Sequence, residues 1–135
     1  MIVGYTTGVF DMFHIGHLNI LMRAKQMCDK LIVGVSTDEL CMLYKHKHPV
    51  IPFDQRKAIV EAVRYVDEVV PQRDRDKFLA WEEVHFDILF VGSDWKGTEF
   101  FASQEAKFAK VGVEIVYIPY TEGINSSILR EKAGK

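Results

Sequence analysis

His14 and His17 stand three residues apart with Gly16 between them, and Asp11 lies just ahead. Residues at that spacing share a face on the first turn of a helix, so the two imidazoles would meet at its start. Unpaired N–H groups and the positive end of the dipole gather there, which makes the position a site for phosphate. Gly16 removes a side chain where a ligand would approach closely. Histidines so spaced also suit zinc, but neither cysteine is near and the local sequence places no third ligand. A second group able to meet an anion is Lys45-His46-Lys47-His48-Pro49. As compact ammonium groups on flexible stems, Lys45 and Lys47 suit mobile phosphates, whereas His46 and His48 read as surface residues.

The elements that must position these groups are legible in the apolar pattern. Ile2, Val3 and Tyr5 have strand character, Gly8 permits a tight turn, and Leu18, Ile20, Leu21 and Ala24 repeat at helical spacing. Lys30 to Ser36 and Asp87 to Gly92 are nearly continuous apolar runs, as expected of central parallel strands. Thr37 or Asp38 caps a short helix from Glu39 to Tyr44, and Pro52 opens another that carries Arg56, Ile59, Val60 and Val63 at core spacing before running into a strand near Val69. A polar stretch from Gln72, with Arg73, Arg75 and Lys77, leads into a helix through Phe78, Leu79, Trp81 and Val84 and is placed to close over a ligand. Residues 98–110 read as a helix whose Phe100, Phe101 and Phe108 serve the core, ahead of a subunit interface as the alternative, and Val113 to Pro119 as a last strand with alternating faces.

Composition narrows the function classes. The 135 residues are one domain's worth, and a net charge of −2 with 27% charged residues gives no general footprint for nucleic acid or membrane. No apolar run reaches membrane-spanning length and the first strand has no basic leader, so a cytoplasmic protein is expected. Cys28 and Cys41 lack C-x-x-C spacing and are expected to stay reduced.

The string Gly8-Val9-Phe10-Asp11-Met12-Phe13-His14-Ile15-Gly16-His17 resembles the G-x-F-D-x-x-H-x-G-H signature of the HxGH nucleotidyltransferase family, which includes cytidylyltransferases. Arg64-Tyr65-Val66-Asp67-Glu68-Val69 is similar to that family's R-Y-V-D-E-V string, and Gly92-Ser93-Asp94-Trp95 to its G-x-D-W element. Tyr120-Thr121-Glu122-Gly123-Ile124-Asn125-Ser126-Ser127 resembles its R-T-E-G-I-S-T-T segment. The resemblance covers nearly the whole chain apart from about residues 98–110 and implies an α/β, Rossmann-like single domain over residues 1–135, with about five parallel strands and helices on both faces.

It further implies transfer of CMP from CTP, with Mg²⁺, to a small phosphorylated alcohol. Glycerol 3-phosphate is the acceptor it favours; other polyol phosphates, phosphocholine and phosphoethanolamine stay open. His14, His17, Lys47 and Arg130 take the catalytic positions. Val9, Phe10, His14, Gly16, His17, Asp94, Tyr120, Thr121, Gly123, Ile124, Ser126 and Ser127 take those around the nucleotide, and Lys45, Lys47, Arg64 and Lys77 those around the acceptor, with no metal-ligating residue assigned. Asp94 would meet a ribose hydroxyl or the cytosine amino group, and Trp95 either packs or stacks. Asp67 would orient a basic residue or a hydroxyl. Two departures matter: Tyr120 stands where cytidylyltransferases carry arginine, and Arg130 is a feature shared with adenylyltransferase relatives, so ATP remains an alternative nucleotide. A protein that binds nucleotide without turnover is the alternative outside the enzymes. The family also implies a homodimer and a product used for cell-surface polymers.

Overall fold

The computed structural model describes residues 1–119. The motif from Tyr120 to Arg130 lies outside these residues. The chain alternates strand and helix: β1 (Val3–Gly8), α1 (Ile15–Gln26), β2 (Lys30–Ser36), α2 (Asp38–Lys45), α3 (Phe53–Glu61), β3 (Glu68–Gln72), α4 (Lys77–Val84), β4 (Ile88–Gly92), α5 (Glu99–Ala109) and β5 (Glu114–Ile118), with a 3-10 turn (Ser93–Trp95) after β4. The strands form one parallel sheet in the order β3-β2-β1-β4-β5. This is the expected Rossmann-like architecture.

Its geometry follows from the apolar pattern. Side chains alternate along a strand, so β2 sends Leu31, Val33 and Val35 to one face and Ile32 to the other. The first face packs on α1 and α3 through Leu21, Ala24 and Val60. The second packs on α4 and α5, where Phe101 and Phe108 join Tyr5, Phe86 and Leu89. Right-handed crossovers require this division: α1 and the α2–α3 pair carry the chain outward to β3, and α4 carries it back past β1 to β4 on the opposite face. Gly34 keeps β2 continuous beside Tyr5, because a Cβ there would lie 2.4 Å from the tyrosine hydroxyl.

Helix starts follow local chemistry as well. Thr37, Asp76 and Thr98 accept N–H bonds from Leu40, Phe78 and Phe101 and so cap α2, α4 and α5. Two expectations change. Of the three phenylalanines of α5, Phe101 and Phe108 are buried but Phe100 is 37% exposed, because it sits one position off the buried stripe. β5 is an edge strand with one fully buried residue, Ile118, and does not alternate cleanly.

The strand order reverses between β1 and β4, and an open α/β sheet leaves a crevice there, at the carboxyl ends of its strands.

Candidate active site

A cavity of about 590 Å³ occupies that crevice, with Gly8, Ser36, Gln72 and Gly92 at the ends of β1, β2, β3 and β4 along its floor. The turn from β1 into α1 forms one wall. Gly8 is needed there for space: a Cβ would come within 2.9 Å of the Phe10 ring, which folds back over it. Phe10 and Met12 have φ of 53° and 50°, a left-handed conformation that costs side chains about 1 kcal/mol or more each. Strain of this kind persists where the surroundings fix it, and here Asp11, between the two, is 3% exposed and accepts N–H bonds from Val50 and Ile51 at 2.8 and 2.9 Å.

Those bonds hold the 46–52 loop against the turn, and with it Lys45, Lys47 and His48, which all line the cavity. His48, which reads as a surface residue in the sequence, thus stands at the cavity. Behind the loop, the fully buried Arg56 donates to the carbonyls of Ile51 (2.8 Å), Val9 (2.7 Å) and Ser36 (2.8 Å), and pairs with Asp38 at 2.6 Å. One guanidinium thus ties the ends of β1 and β2 to the start of α2. Its five donors meet this demand where an ammonium would not.

His14 is the N-cap of α1, and its Nδ1 accepts from the Gly16 N–H at 3.0 Å, while His17 Nδ1 accepts from the His14 N–H at 3.1 Å. The rings stack with centroids 3.9 Å apart. Because each Nδ1 is an acceptor, each neutral ring carries its proton on Nε2. The sequence pointed to backbone amides as the anion donors at this helix start. The structure instead engages the His14 and Gly16 amides with the imidazoles, leaving ring N–H groups to offer. His14 Nε2 is buried and has no hydrogen-bond partner among the described residues, a condition that calls for an acceptor.

Burial lowers the His14 pKa. It lowers that of His17 to about 4, reinforced by repulsion from His14 and opposed by Asp11. Both are therefore neutral donors near pH 7. The fixed positive charge comes from the lysines, among them Lys77, whose pKa burial and the neighbouring Arg75 lower.

Of the residues singled out in the sequence, Val9, Phe10, His17, Lys45, Lys47 and Lys77 line the cavity, while His14, outside the lining, stacks on His17 and accepts from the Gly16 N–H. Trp95 lines it too, whereas Asp94, one residue earlier, is exposed and outside the lining. Arg64 is not brought to the cavity: it is exposed between α3 and β3, ahead of the amino end of β3, whereas the cavity lies at the carboxyl ends of the strands. In the same string, Asp67 accepts from Leu31 N–H and from Lys25 at 2.8 and 2.6 Å, which lowers its pKa and ties α1 to the amino ends of the strands. Asp67 orients a basic residue, and that residue is structural. Tyr120, Thr121, Gly123, Ile124, Ser126, Ser127 and Arg130 lie outside the described residues. Both cysteines are free, and burial raises their thiol pKa values.

A parallel sheet with cations and neutral imidazole donors gathered at its switch point is that of an α/β protein that handles phosphorylated nucleotides. Residues 5–132 match the cytidylyltransferase-like family, and the chain belongs to that family. It is 38% identical over 134 residues to glycerol-3-phosphate cytidylyltransferase of Bacillus subtilis, a match that covers 94% of this chain and 93% of that protein. The enzyme of the same name from Staphylococcus aureus is 37% identical over 128 residues, covering 94% and 91%. Among solved structures, the lipopolysaccharide core biosynthesis protein from Thermoplasma volcanium superposes with a TM-score of 0.74 at 30% identity, over 90% of this chain and 97% of that one. Among the described residues no helix is long and apolar enough to cross a membrane.

Proposed function

We propose that the protein transfers CMP from CTP, entering as its Mg²⁺ complex, to the phosphate of glycerol 3-phosphate, giving CDP-glycerol and pyrophosphate. An acceptor phosphate oxygen attacks the α-phosphorus in line, a new P–O bond forms, and the bond to the β-phosphate oxygen breaks with its electron pair leaving on pyrophosphate. The chain need form no covalent bond to substrate. Its work is positioning and the stabilisation of charge that grows on the α-phosphate oxygens.

The observation that carries this reading is the stacked His14–His17 pair, whose Nδ1 atoms are held as acceptors so that Nε2–H groups are left to donate. In this assignment His14 and His17 meet the α-phosphate, Lys47 the triphosphate, and Lys45 and Lys77 the acceptor phosphate. Ser126, Ser127 and Arg130 take the β- and γ-phosphates, a role supported by the family resemblance. Identity near 38% to glycerol-3-phosphate cytidylyltransferases over almost the whole chain supports the nucleotide and the acceptor. Tyr120 and Arg130 motivate a second reading in which ATP replaces CTP. By the same family inference the protein works as a cytoplasmic homodimer and its product feeds cell-surface polymer synthesis; sedimentation of the purified chain tests the dimer.

The test is pyrophosphate release with Mg²⁺, glycerol 3-phosphate and either CTP or ATP. Release with CTP alone, stopped by EDTA, is expected; release with ATP alone would reassign the nucleotide. His17→Ala removes one preorganised donor and is expected to lower kcat by about a hundredfold or more while the circular dichroism stays that of the wild type. Near-normal turnover by that variant would overturn the mechanism.

A further inference from the structure

A smaller recess of about 220 Å³ continues the main cavity between α2, the β3–α4 loop and α5. Lys45 and Lys77 line both spaces, so an acceptor whose phosphate they hold extends its alcohol portion into the recess. Tyr44, Trp95 and Phe100 give it aromatic walls, and Arg75 is its remaining cation. Among the described residues no carboxylate lines it. The one acid among the described residues on the main cavity, Asp11, accepts from Val50 and Ile51.

Aromatic walls of this kind are suited to an alkylammonium head, which ring faces attract. Here that place is taken. The Arg75 guanidinium lies 4.8 Å from the Tyr44 ring centroid and 5.8 Å from that of Phe100, and it makes no hydrogen bond or ion pair with the described residues. A cationic tail entering the recess would meet this fixed charge and the two lysines with no acid among the described lining residues to offset them. A hydroxyl or carboxylate would instead meet a planar fork of N–H donors.

We propose that Arg75 is the specificity-determining residue of the acceptor subsite, admitting phosphorylated alcohols with neutral polyhydroxyl or anionic tails and refusing those with an ammonium tail. The assignment rests on the cytidylyltransferase reading and deepens it. It ranks glycerol 3-phosphate above phosphocholine and phosphoethanolamine because of a guanidinium on this chain, independently of any relative. It also accounts for Phe100, which α5 leaves partly exposed as a support for that guanidinium.

The experiment measures kcat/KM for glycerol 3-phosphate and for phosphocholine at saturating CTP, in the wild type, Arg75→Met and Arg73→Met. Met keeps an apolar stem over the rings without the charge, and Arg73 is an exposed arginine of the same loop outside both linings. The wild type is expected to prefer glycerol 3-phosphate at least tenfold. In Arg75→Met that preference falls tenfold or more, through KM for the acceptors and with KM for CTP unchanged, while Arg73→Met keeps the wild-type ratio. Turnover of glycerol 3-phosphate with a ratio unchanged in Arg75→Met would overturn the role of Arg75 alone, as would equal use of phosphocholine by the wild type. No pyrophosphate from the wild type with either acceptor would overturn the parent reading and this proposal with it.

Discussion

Asp11→Asn tests whether the cationic loop is held in place by one buried carboxylate. Asp11 Oδ2 accepts from the Val50 N–H at 2.8 Å and Oδ1 from the Ile51 N–H at 2.9 Å. Asparagine retains one acceptor and turns an NH₂ group toward the other amide, so one charge-assisted bond becomes a donor facing a donor. Loss of such a bond costs about 1.5–3 kcal/mol. With an unfolding entropy of about 2.1 cal/mol/K per residue over 135 residues, roughly 280 cal/mol/K, Tm falls by about 5–11 °C. Scanning calorimetry reads that drop, and pyrophosphate release reads its consequence. Because the loop carries Lys47 and His48, KM for CTP should rise more than kcat falls, and saturating CTP should restore part of the lost Tm. A Tm within about 1 °C of the wild type, with KM unchanged, would refute the argument that this carboxylate secures the loop.

Acid sensitivity should trace partly to His17, whose folded pKa of about 4 lies below its ordinary 6.5. Such a group favours the fold fully above pH 6.5 and loses that contribution as pH falls toward 4, by up to about 3 kcal/mol. His17→Gln keeps a side-chain acceptor for the His14 N–H and should flatten this stretch of the stability curve in urea titrations at successive pH values; an unchanged slope would assign the acid loss elsewhere. In the core, Phe108→Ala should cost about 3–5 kcal/mol, because its ring is fully buried against Phe78 and Phe86. Phe100→Ala, at the recess, should cost less than about 1.5 kcal/mol in the same denaturant experiment, and equal losses would contradict the burial pattern of α5.

Strands β1, β2 and β4 and the helix start at His14 were legible because their signals are local. A parallel strand covered on both faces is an unbroken apolar run, and two histidines three apart cannot avoid sharing a helical face. Arg56 was hidden for the opposite reason. Its spacing marked a core-facing position, but three of its partners are backbone carbonyls, of Val9, Ser36 and Ile51, which leave no trace in residue type. The buried role of Asp11 depends likewise on amides about forty residues away. Arg64 was assigned to the acceptor by resemblance alone, and the string that carries it does structural work at the amino ends of the strands, where Asp67 holds Lys25 and the Leu31 amide. The recess around Arg75 is assembled from α2, a loop and α5 and could not be read before the fold was known.

The lysines and the imidazoles at this site differ in charge and burial, and the difference bears on the proposed binding of a triphosphate. Lys45 at the end of α2 and Lys47 on the pinned loop stand exposed, where water screens them, so in the proposed reaction they would attract the nucleotide without an electrostatic cost to the fold. His14 and His17 are partly buried, and as neutral rings they avoid the penalty of desolvating charge beside each other. In the proposed reaction an arriving phosphate would supply the acceptor that His14 Nε2 lacks, while each Nδ1 stays engaged by a backbone N–H. The imidazoles would then make their strongest interaction in the loaded site without carrying charge in the empty one. That is the differential stabilisation that speeds a reaction without over-stabilising the empty enzyme.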